Sequence, residues 1–169
     1  SNTLFDDRGF AGLVILNQIE GFEQEGNLFR VGSGFSFARL GQITAKLGFS
    51  GLEFAAGIPA TVGGAVFMNA GANGQDVAAV LKEVVFVDYK EHVVQEFGFS
   101  YRTSCFQKMH GAIVEAIFEL TPLEGAKQKQ KELVEYRLKT QPYGTKSCGC
   151  VYTAILSSMR VGKLPMCAL

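Results

Sequence analysis

The segment from residue 51 to residue 74, GLEFAAGIPATVGGAVFMNAGANG, restricts the fold of this chain more than any other feature of the sequence. Its only charged residue is Glu53, and most of its other positions carry glycine, alanine or a larger apolar residue. Pro59 fixes its own φ, and Thr61 is a favourable N-cap residue. We therefore predict a short helix from Thr61 to about Met68, which turn-forming residues then end.

The small residues of this segment let another group approach the main chain closely, and two interpretations follow. In the first, main-chain N–H groups near Gly57, Gly63 and Gly64 surround a phosphate-bearing cofactor at the start of a helix. In the second, the small residues let a helix pack tightly against its neighbours. Neither common nucleotide motif is present, neither GxGxxG after a strand nor GxxxxGK[ST]. The residues alone leave both interpretations open, and close packing is the more frequent reason for such a pattern.

Composition excludes several classes of protein. The 169 residues are 47% hydrophobic, which is enough for the packed core of one domain, or of one domain with parts of others. No apolar run approaches the roughly 20 residues that span a bilayer. The balance of 16 Lys+Arg against 16 Asp+Glu predicts no surface for nucleic acid. We predict no metal site, because Cys148 and Cys150 are too closely spaced and no second pair accompanies them.

Hydrophobic patterning predicts strands and helices that do not alternate strictly, which is typical of the α+β class. Short apolar or alternating runs predict five strands, at 13–16, 28–31, 84–87, 93–97 and 111–120. The segment 88–92 is the predicted connection of a hairpin. A 3.6-residue period predicts a helix over 36–47, and a polar helix is predicted over 126–140, ended by Gln141-Pro142-Tyr143-Gly144.

Five segments of the chain match, in order, the motifs of one known family. They are Ser1-Asn2-Thr3-Leu4 with Gly9-Phe10-Ala11-Gly12, the glycine-rich string from Gly51 to Ala72, Phe99-Ser100-Tyr101-Arg102-Thr103-Ser104, Arg137 with Gln141-Pro142, and Ser147-Cys148-Gly149-Cys150-Val151. Over residues 1–152 these segments resemble the bacterial UDP-N-acetylenolpyruvoylglucosamine reductases, known as MurB or UDP-N-acetylmuramate dehydrogenase. Several ordered motifs at family-like spacing are more specific than one glycine-rich motif.

The resemblance implies an α+β FAD-binding domain of the vanillyl-alcohol oxidase/PCMH type. In the family, NADPH reduces FAD, which passes hydride to the enolpyruvyl group of UDP-N-acetylenolpyruvoylglucosamine, and UDP-N-acetylmuramate for peptidoglycan is the product. The implied partners are this UDP-sugar and NADPH, with no nucleic acid and no membrane, and the implied state is a monomer. A bacterial member acts in the cytoplasm, and a plant member would act in the plastid stroma.

The resemblance also implies catalytic and substrate-binding residues. Arg102 matches the arginine beside the substrate carboxylate, where a fixed guanidinium stabilises the negative charge that hydride addition develops. Cys150 lies where family members carry a serine or cysteine proton donor, and a thiol of ordinary pKa, about 8.5, stays largely protonated at neutral pH. Tyr101 and Ser104 match substrate-binding positions. The alternative is a surface or structural role for each of these residues, and we treat Cys148 as structural.

The residues that the resemblance assigns to FAD come from the first loop, from the glycine-rich segment and from one later strand. They are Ser1, Asn2, Gly57, Ile58, Pro59, Gly63, Gly64, Ala65, Asn69 and Ile113. Ala60 stands where glycine is commoner in the family, which is a mild departure from the pattern.

Both ends of the chain depart from the family pattern, so we expect it to be incomplete at both ends. No initiator methionine or first half of the pyrophosphate loop precedes Ser1, and an unrelated tail follows Tyr152. The late glutamate that partners the arginine is missing as well. The expected divisions are a remnant of the first FAD-binding subdomain at 1–20, the second at 21–122, the start of a substrate-binding domain at 123–152 and a divergent tail at 153–169. The alternative function is a flavin-binding fragment without catalytic turnover.

Overall fold

A computed structural model describes residues 6–140, which form a five-stranded antiparallel sheet, two short two-stranded antiparallel pairs and three α-helices. The strands are β1 (Phe22–Glu25), β2 (Leu28–Gly32), β3 (Phe49–Ser50), β4 (Gly71–Ala72), β5 (Gln75–Asp76), β6 (Leu81–Val87), β7 (Glu91–Val94), β8 (Ala112–Glu119) and β9 (Thr121–Pro122). The helices are α1 (Phe37–Lys46), α2 (Val62–Phe67) and α3 (Ala126–Thr140). None of the helices within residues 6–140 is long and apolar enough to cross a membrane.

The large sheet has the order β1-β2-β8-β6-β7, so β8 lies at its centre and pairs with both β2 and β6. Phe29 of β2 faces Phe118 of β8 in this register, and both side chains are fully buried. The ring of Phe37 in α1 meets that of Phe54 edge-on, with the ring centroids 5.9 Å apart. One hydrophobic core therefore joins the sheet to α1 and to the 3-10 turn at 53–55.

Most of the predicted elements, and the α+β class with them, are confirmed. Helix α1 begins after Ser36, whose hydroxyl accepts from the Arg39 N–H, and it is followed by Gly48 at φ +83°. Helix α2 begins after the predicted N-cap Thr61, and α3 begins at the predicted Ala126 and extends to Thr140. The predicted stop at 141–144 lies outside the described residues. Strands β2 and β8 match the predicted runs at 28–31 and 111–120 to within one residue at each end. Strand β6 contains the predicted run at 84–87 and begins three residues earlier.

The strand predicted at 13–16 is wrong. Leu13, Val14, Ile15 and Leu16 are in no strand, and each side chain is between 71% and 82% exposed. A run of apolar residues becomes a strand only when a neighbouring strand supplies hydrogen bonds, and no described residue does so here.

The hairpin between β6 and β7 is confirmed, but its turn is shorter than predicted. Strand β7 begins at Glu91 and ends at Val94, instead of spanning 93–97. The Asp88 carboxylate accepts the main-chain N–H groups of Tyr89 and Lys90, and it also pairs with His92. This side chain closes the turn within residues 88–90, so pairing starts earlier than the alternating pattern suggests.

A buried carboxylate fastens α3 to the core. The Glu53 side chain is fully buried, and it accepts the Ser50 hydroxyl at 2.6 Å and the Gly51 N–H at 2.7 Å. Lys129 of α3 forms an ion pair with it at 3.0 Å. Burial raises the pKa of Glu53, but these hydrogen bonds outweigh burial, so its pKa lies below the ordinary value.

Replacing Glu53 with glutamine is expected to destabilise the chain by about 2 kcal/mol at neutral pH. The pKa of Glu53 in the folded chain lies below the ordinary glutamate value of 4.5. The carboxylate therefore stabilises the fold fully above pH 4.5, and this contribution is lost as the pH falls through the folded pKa. Urea unfolding at pH 7 and at acid pH measures the difference. Glu135→Gln, at an exposed site on α3, is the control. An equal loss in Glu53→Gln at both pH values would show that the charge is not responsible.

Candidate functional site

A cleft with a volume of about 730 Å³ lies between α2, with its preceding loop, and the neighbouring ends of β6 and β8. It is lined by Asn17, Ser33, Ile58, Pro59, Ala60, Thr61, Gly63, Gly64, Ala65, Phe67, Met68, Ala70, Gly71, Phe86, Arg102, Phe106, Gly111, Ala112 and Ile113. Arg102 is the one charged side chain among these lining residues, so the cleft is largely apolar with a single cation at its edge.

Aromatic and aliphatic side chains line one side of the cleft. The rings of Phe86 and Phe106 are stacked, with centroids 5.7 Å apart and planes inclined by 28°. Ile113 of β8 lies beside them and is 8% exposed. All three side chains belong to the hydrophobic core, so this side of the cleft is a rigid apolar surface.

The first N–H groups of α2 donate within the chain. The Val62 N–H donates to the Phe35 carbonyl at 2.8 Å, and the Gly63 N–H donates to the Ser33 carbonyl at 2.8 Å. The Gly64 N–H donates to the hydroxyl of the N-cap Thr61 at 3.2 Å. Because these N–H groups already have acceptors, the two glycines do not provide donors for a phosphate. Their contribution is the absence of a side chain.

The two adjacent glycines of α2 lack a side chain for different reasons. A Cβ on Gly63 would lie 2.9 Å from the Ser33 Cβ and 3.2 Å from its carbonyl oxygen, so Gly63 allows α2 to pack on the loop after β2. A Cβ on Gly64 would meet only the Thr61 hydroxyl, at 3.4 Å. Gly64 is exposed and lines the cleft, so the open space beside it is available to a ligand.

Gly111 brings the start of β8 close to the end of β6. A Cβ at this position would lie 2.4 Å from the Val87 carbonyl oxygen and 2.6 Å from the Phe86 ring. No side chain fits there without moving main chain, so glycine is required for the shape of the cleft at this end.

Arg102 is held at the edge of the cleft by main-chain carbonyl groups. Its Nη1 donates to the Asn69 carbonyl at 3.2 Å and its Nη2 to the Gly71 carbonyl at 3.1 Å. Its φ is +54°, a left-handed conformation that is uncommon for residues other than glycine. Within residues 6–140, no carboxylate forms an ion pair with this guanidinium. The site thus contains an oriented cation whose charge is not neutralised by the described part of the chain.

The residues around Arg102 hold its turn against the end of α2. Asn69 is buried; its amide donates to the Ser100 carbonyl at 3.1 Å and accepts the Ala78 N–H at 3.0 Å. The buried Ser104 hydroxyl donates to the Phe67 carbonyl at 2.7 Å, and the Gln107 amide bridges the carbonyls of Phe67 and Arg102. The exposed ring of Tyr101 stacks on the Arg102 guanidinium at 5.1 Å. The backbone at Arg102 is therefore fixed from several sides.

The structure brings together seven of the residues proposed from sequence. The residues that line the cleft are Ile58, Pro59, Gly63, Gly64, Ala65, Arg102 and Ile113. Four others lie nearby but outside the lining, namely Gly57, Asn69, Tyr101 and Ser104. Gly57 has φ +84°, and its carbonyl accepts from Arg137 at 3.3 Å. Ser1, Asn2 and Cys150 lie outside the described residues.

Several lining residues were not predicted from the sequence. Phe86 and Phe106 resemble ordinary core residues, and nothing in their local pattern marks them as part of a cleft. Asn17 directly follows the run at 13–16 that was wrongly predicted as a strand, and Ser33 lies in the Gly-Ser-Gly at the end of β2. The pattern that could have indicated Ser33 is Gly32-Ser33-Gly34, because glycines at the end of a strand often allow another main chain or a ligand to approach closely.

Comparison with known proteins identifies the fold family. A family model described as an FAD binding domain matches residues 1–95. The chain belongs to the FAD-binding domain family. The matched residues contain most of the cleft lining, including the whole of α2, and β8 and Arg102 follow them in the chain. The prediction of an FAD-binding domain from the glycine-rich segment and its accompanying motifs is thereby confirmed.

Proteins similar to this chain include several UDP-N-acetylenolpyruvoylglucosamine reductases. The UDP-N-acetylenolpyruvoylglucosamine reductase of Protochlamydia amoebophila is 53% identical over 90% of this chain and 52% of its own length. The protein of the same name from Chlamydia abortus is 46% identical over 90% of this chain and 53% of its own length. A crystal structure of UDP-N-acetylenolpyruvylglucosamine reductase (MurB) from Thermus caldophilus matches with a TM-score of 0.64 and 32% identity, covering 80% of this chain and 49% of that one.

These matches confirm the predicted resemblance to UDP-N-acetylenolpyruvoylglucosamine reductases. They also confirm the predicted fold class, an FAD-binding domain of the vanillyl-alcohol oxidase/PCMH type. The chain spans about half the length of the curated relatives it matches.

Proposed function

We propose that the cleft binds FAD and that this chain is the flavin-binding part of an NADPH-dependent reductase acting on UDP-N-acetylenolpyruvoylglucosamine. The observation that supports this most is the presence, in one cleft, of uncovered main chain at Gly64 and of Arg102 held by two carbonyl groups. The product would be UDP-N-acetylmuramate for peptidoglycan synthesis. The proposal includes action as a monomer in the bacterial cytoplasm, or in the plastid stroma of a plant.

The described residues fit FAD. A volume of about 730 Å³ lies within the usual range for cofactor sites. The missing side chain at Gly64 leaves room for a ligand to lie against α2, and the surface of Phe86, Phe106 and Ile113 suits a flat, largely apolar ring system. When bound, FAD supplies the hydride chemistry that amino-acid side chains lack.

Arg102 is the residue that we propose acts on the substrate. A guanidinium has five N–H donors, and the two carbonyl groups account for two of them, so others remain for a carboxylate. The carboxylate of an enolpyruvyl group gains negative charge when the adjacent double bond is reduced. A fixed cation at that carboxylate therefore interacts more strongly with the transition state than with the substrate, which raises the rate.

The remaining site residues take supporting roles in this proposal. Tyr101 contributes substrate binding beside Arg102, on which its ring is stacked. The buried hydroxyl of Ser104 supports the Tyr101–Arg102 turn through the Phe67 carbonyl, which fits its position better than direct substrate contact. Cys150 donates the proton that completes the reduction, and Ser1 and Asn2 contribute to FAD binding.

The domain divisions proposed from sequence accompany this function. Residues 21–122, which contain the whole five-stranded sheet, would be the second FAD-binding subdomain. Residues 1–20 would belong to the first subdomain, residues 123–152 would begin the substrate-binding domain, and residues 153–169 would be a divergent tail.

The experiment that tests the function uses the purified chain with added FAD under anaerobic conditions. Visible absorption near 450 nm (about the usual position for oxidised flavin) is followed while NADPH and then UDP-N-acetylenolpyruvoylglucosamine are added. A reductase loses the absorption with NADPH and regains it with the UDP-sugar. A chain that binds FAD and loses the absorption, but does not regain it, is a flavin-binding fragment without turnover. A chain that binds no FAD contradicts both functions.

A further inference from the structure

Asn17 and Ser33 form a polar pair on a cleft that is otherwise lined mostly by apolar groups. The Ser33 side chain is nearly fully buried, at 1% exposure, and it lines the cleft together with Asn17. The amide nitrogen Nδ2 of Asn17 lies 2.6 Å from the Ser33 hydroxyl oxygen. Two residues that are 16 positions apart in the sequence are therefore joined at the same side of the cleft.

The direction of the hydrogen bond in this pair is fixed by a neighbour. The Ile19 N–H donates to Oδ1 of Asn17 at 3.0 Å, so that side of the amide must be the oxygen. The other side is then the NH₂ group, which donates to the Ser33 hydroxyl oxygen. Ser33 is consequently the acceptor in this bond, and its own hydrogen points elsewhere.

The Ser33 hydroxyl hydrogen has no acceptor among the described residues. The Ser33 main chain is fully used, because its N–H donates to the Val114 carbonyl at 2.8 Å and its carbonyl accepts from Gly63. Asn17 is the one hydrogen-bond partner of its hydroxyl within residues 6–140. A buried hydroxyl donor on a cleft normally finds an acceptor, since leaving one unpaired is costly.

The position of Ser33 along the cleft indicates what that acceptor is. Ser33 contacts Gly63 at the beginning of α2, whereas Arg102 reaches Asn69 and Gly71 just beyond its end. A six-residue helix is about 9 Å long, so the two polar groups are separated by roughly that distance along the cleft. If the reacting ring lies near Arg102, the other end of the cleft receives the remainder of the dinucleotide.

We propose that the Ser33 hydroxyl, oriented by Asn17, donates a hydrogen bond to a pyrophosphate oxygen of the bound dinucleotide. The inference rests on the proposed function, because it concerns the same cleft and requires that FAD occupies it. It adds a ligand contact from the loop after β2, a region outside the glycine-rich segment. It also explains why a serine is buried between two glycines at this point in the chain.

Ser33→Ala tests this contact, and we expect it to weaken FAD binding about tenfold. Fluorescence quenching titrations measure the Kd for FAD and for riboflavin, which lacks the pyrophosphate. The contact predicts a weaker Kd for FAD and an unchanged Kd for riboflavin. Equal weakening for both ligands would place the contact on the flavin ring and overturn the pyrophosphate assignment, and an unchanged Kd for FAD would overturn the contact altogether.

Two further variants separate ligand contact from protein stability. Thr44→Val removes another fully buried hydroxyl, which bonds within α1 and does not line the cleft, and it should leave the Kd for FAD unchanged. Asn17→Ala removes the bond that Ser33 accepts but keeps the hydroxyl, so its effect on FAD should be smaller than that of Ser33→Ala. Equal effects of Asn17→Ala and Ser33→Ala would contradict the proposal. Failure of the unaltered chain to bind FAD would refute the proposed function as well.

Discussion

Gly64→Ala is expected to weaken FAD binding about 100-fold while making the chain more stable. Gly64 lies in α2 with ordinary helical geometry, where alanine is favoured over glycine by about 0.5–1 kcal/mol. The new methyl group would meet only the Thr61 hydroxyl, at 3.4 Å, so the protein accommodates it. The same methyl group would occupy space in the cleft that we assign to the dinucleotide, and such a collision costs about 1–3 kcal/mol. Thermal unfolding and FAD titration of one protein sample measure the two effects.

Gly63→Ala is the matched control for that experiment, because the two glycines are adjacent in α2. Its methyl group would approach the Ser33 Cβ to 2.9 Å, so we expect lower stability in this variant. If Gly64→Ala bound FAD as tightly as the unaltered chain, the open space beside Gly64 would have no role in cofactor binding. The interpretation of the glycine-rich segment as a tightly packed helix would then be sufficient.

If the proposed function is correct, replacing Arg102 with asparagine is expected to slow reoxidation of the reduced flavin by UDP-N-acetylenolpyruvoylglucosamine about 100-fold. This is the usual cost of removing one group that stabilises developing negative charge. Asparagine tolerates the left-handed backbone at φ +54°, so the fold and the FAD content should be retained. Stopped-flow absorbance of the flavin after mixing with the UDP-sugar measures the rate.

Arg102→Lys distinguishes charge from geometry at this site. Lysine keeps the positive charge but lacks the planar group that bonds both the Asn69 and Gly71 carbonyls, so an intermediate rate is expected. Reoxidation rates that are equal in all three proteins would exclude Arg102 from the reaction. A loss of bound FAD in Arg102→Asn would instead indicate that Arg102 serves cofactor binding.

Local patterns predicted the helices well, and for α1 and α2 the reason is a capping residue at the start of the helix. Thr61 and Ser36 are N-cap residues whose hydroxyl groups accept the N–H three residues later, as their residue types suggest. The helical conformation of residues 126–140 follows from their continuous polar, helix-favouring composition. The run at 13–16 failed because four apolar residues look the same whether or not a neighbouring strand is present to pair with them.

Local motifs predicted the cleft only on the side that is local in sequence, whereas Arg102 and Ile113 were predicted from the family resemblance. The residues from Ile58 to Ala65 come from one segment, so a motif reveals them together. The opposite side combines Phe86, Phe106 and Ile113, which the sheet register and the turn at 105–108 bring together. Contacts of this kind depend on tertiary packing, and a single sequence does not encode them as a motif.

Sequence patterns also did not predict which acceptors the main-chain N–H groups of α2 have. Glycines near a helix start suggested N–H groups directed at a phosphate, yet the Gly63 N–H donates to the Ser33 carbonyl. That bond depends on the loop after β2, which lies 30 residues earlier in the chain. The first N–H groups of α2 already donate within the chain, whereas the open space at Gly64 and the Ser33 hydroxyl are available to a ligand.

A crystal structure of this chain grown with FAD tests the central claim most directly. We predict that the dinucleotide lies along α2 in contact with the Gly64 main chain, with its isoalloxazine ring against Ile113 and facing Arg102. FAD bound elsewhere, or a ring remote from Arg102 with α2 touching only its own protein neighbours, would contradict the account.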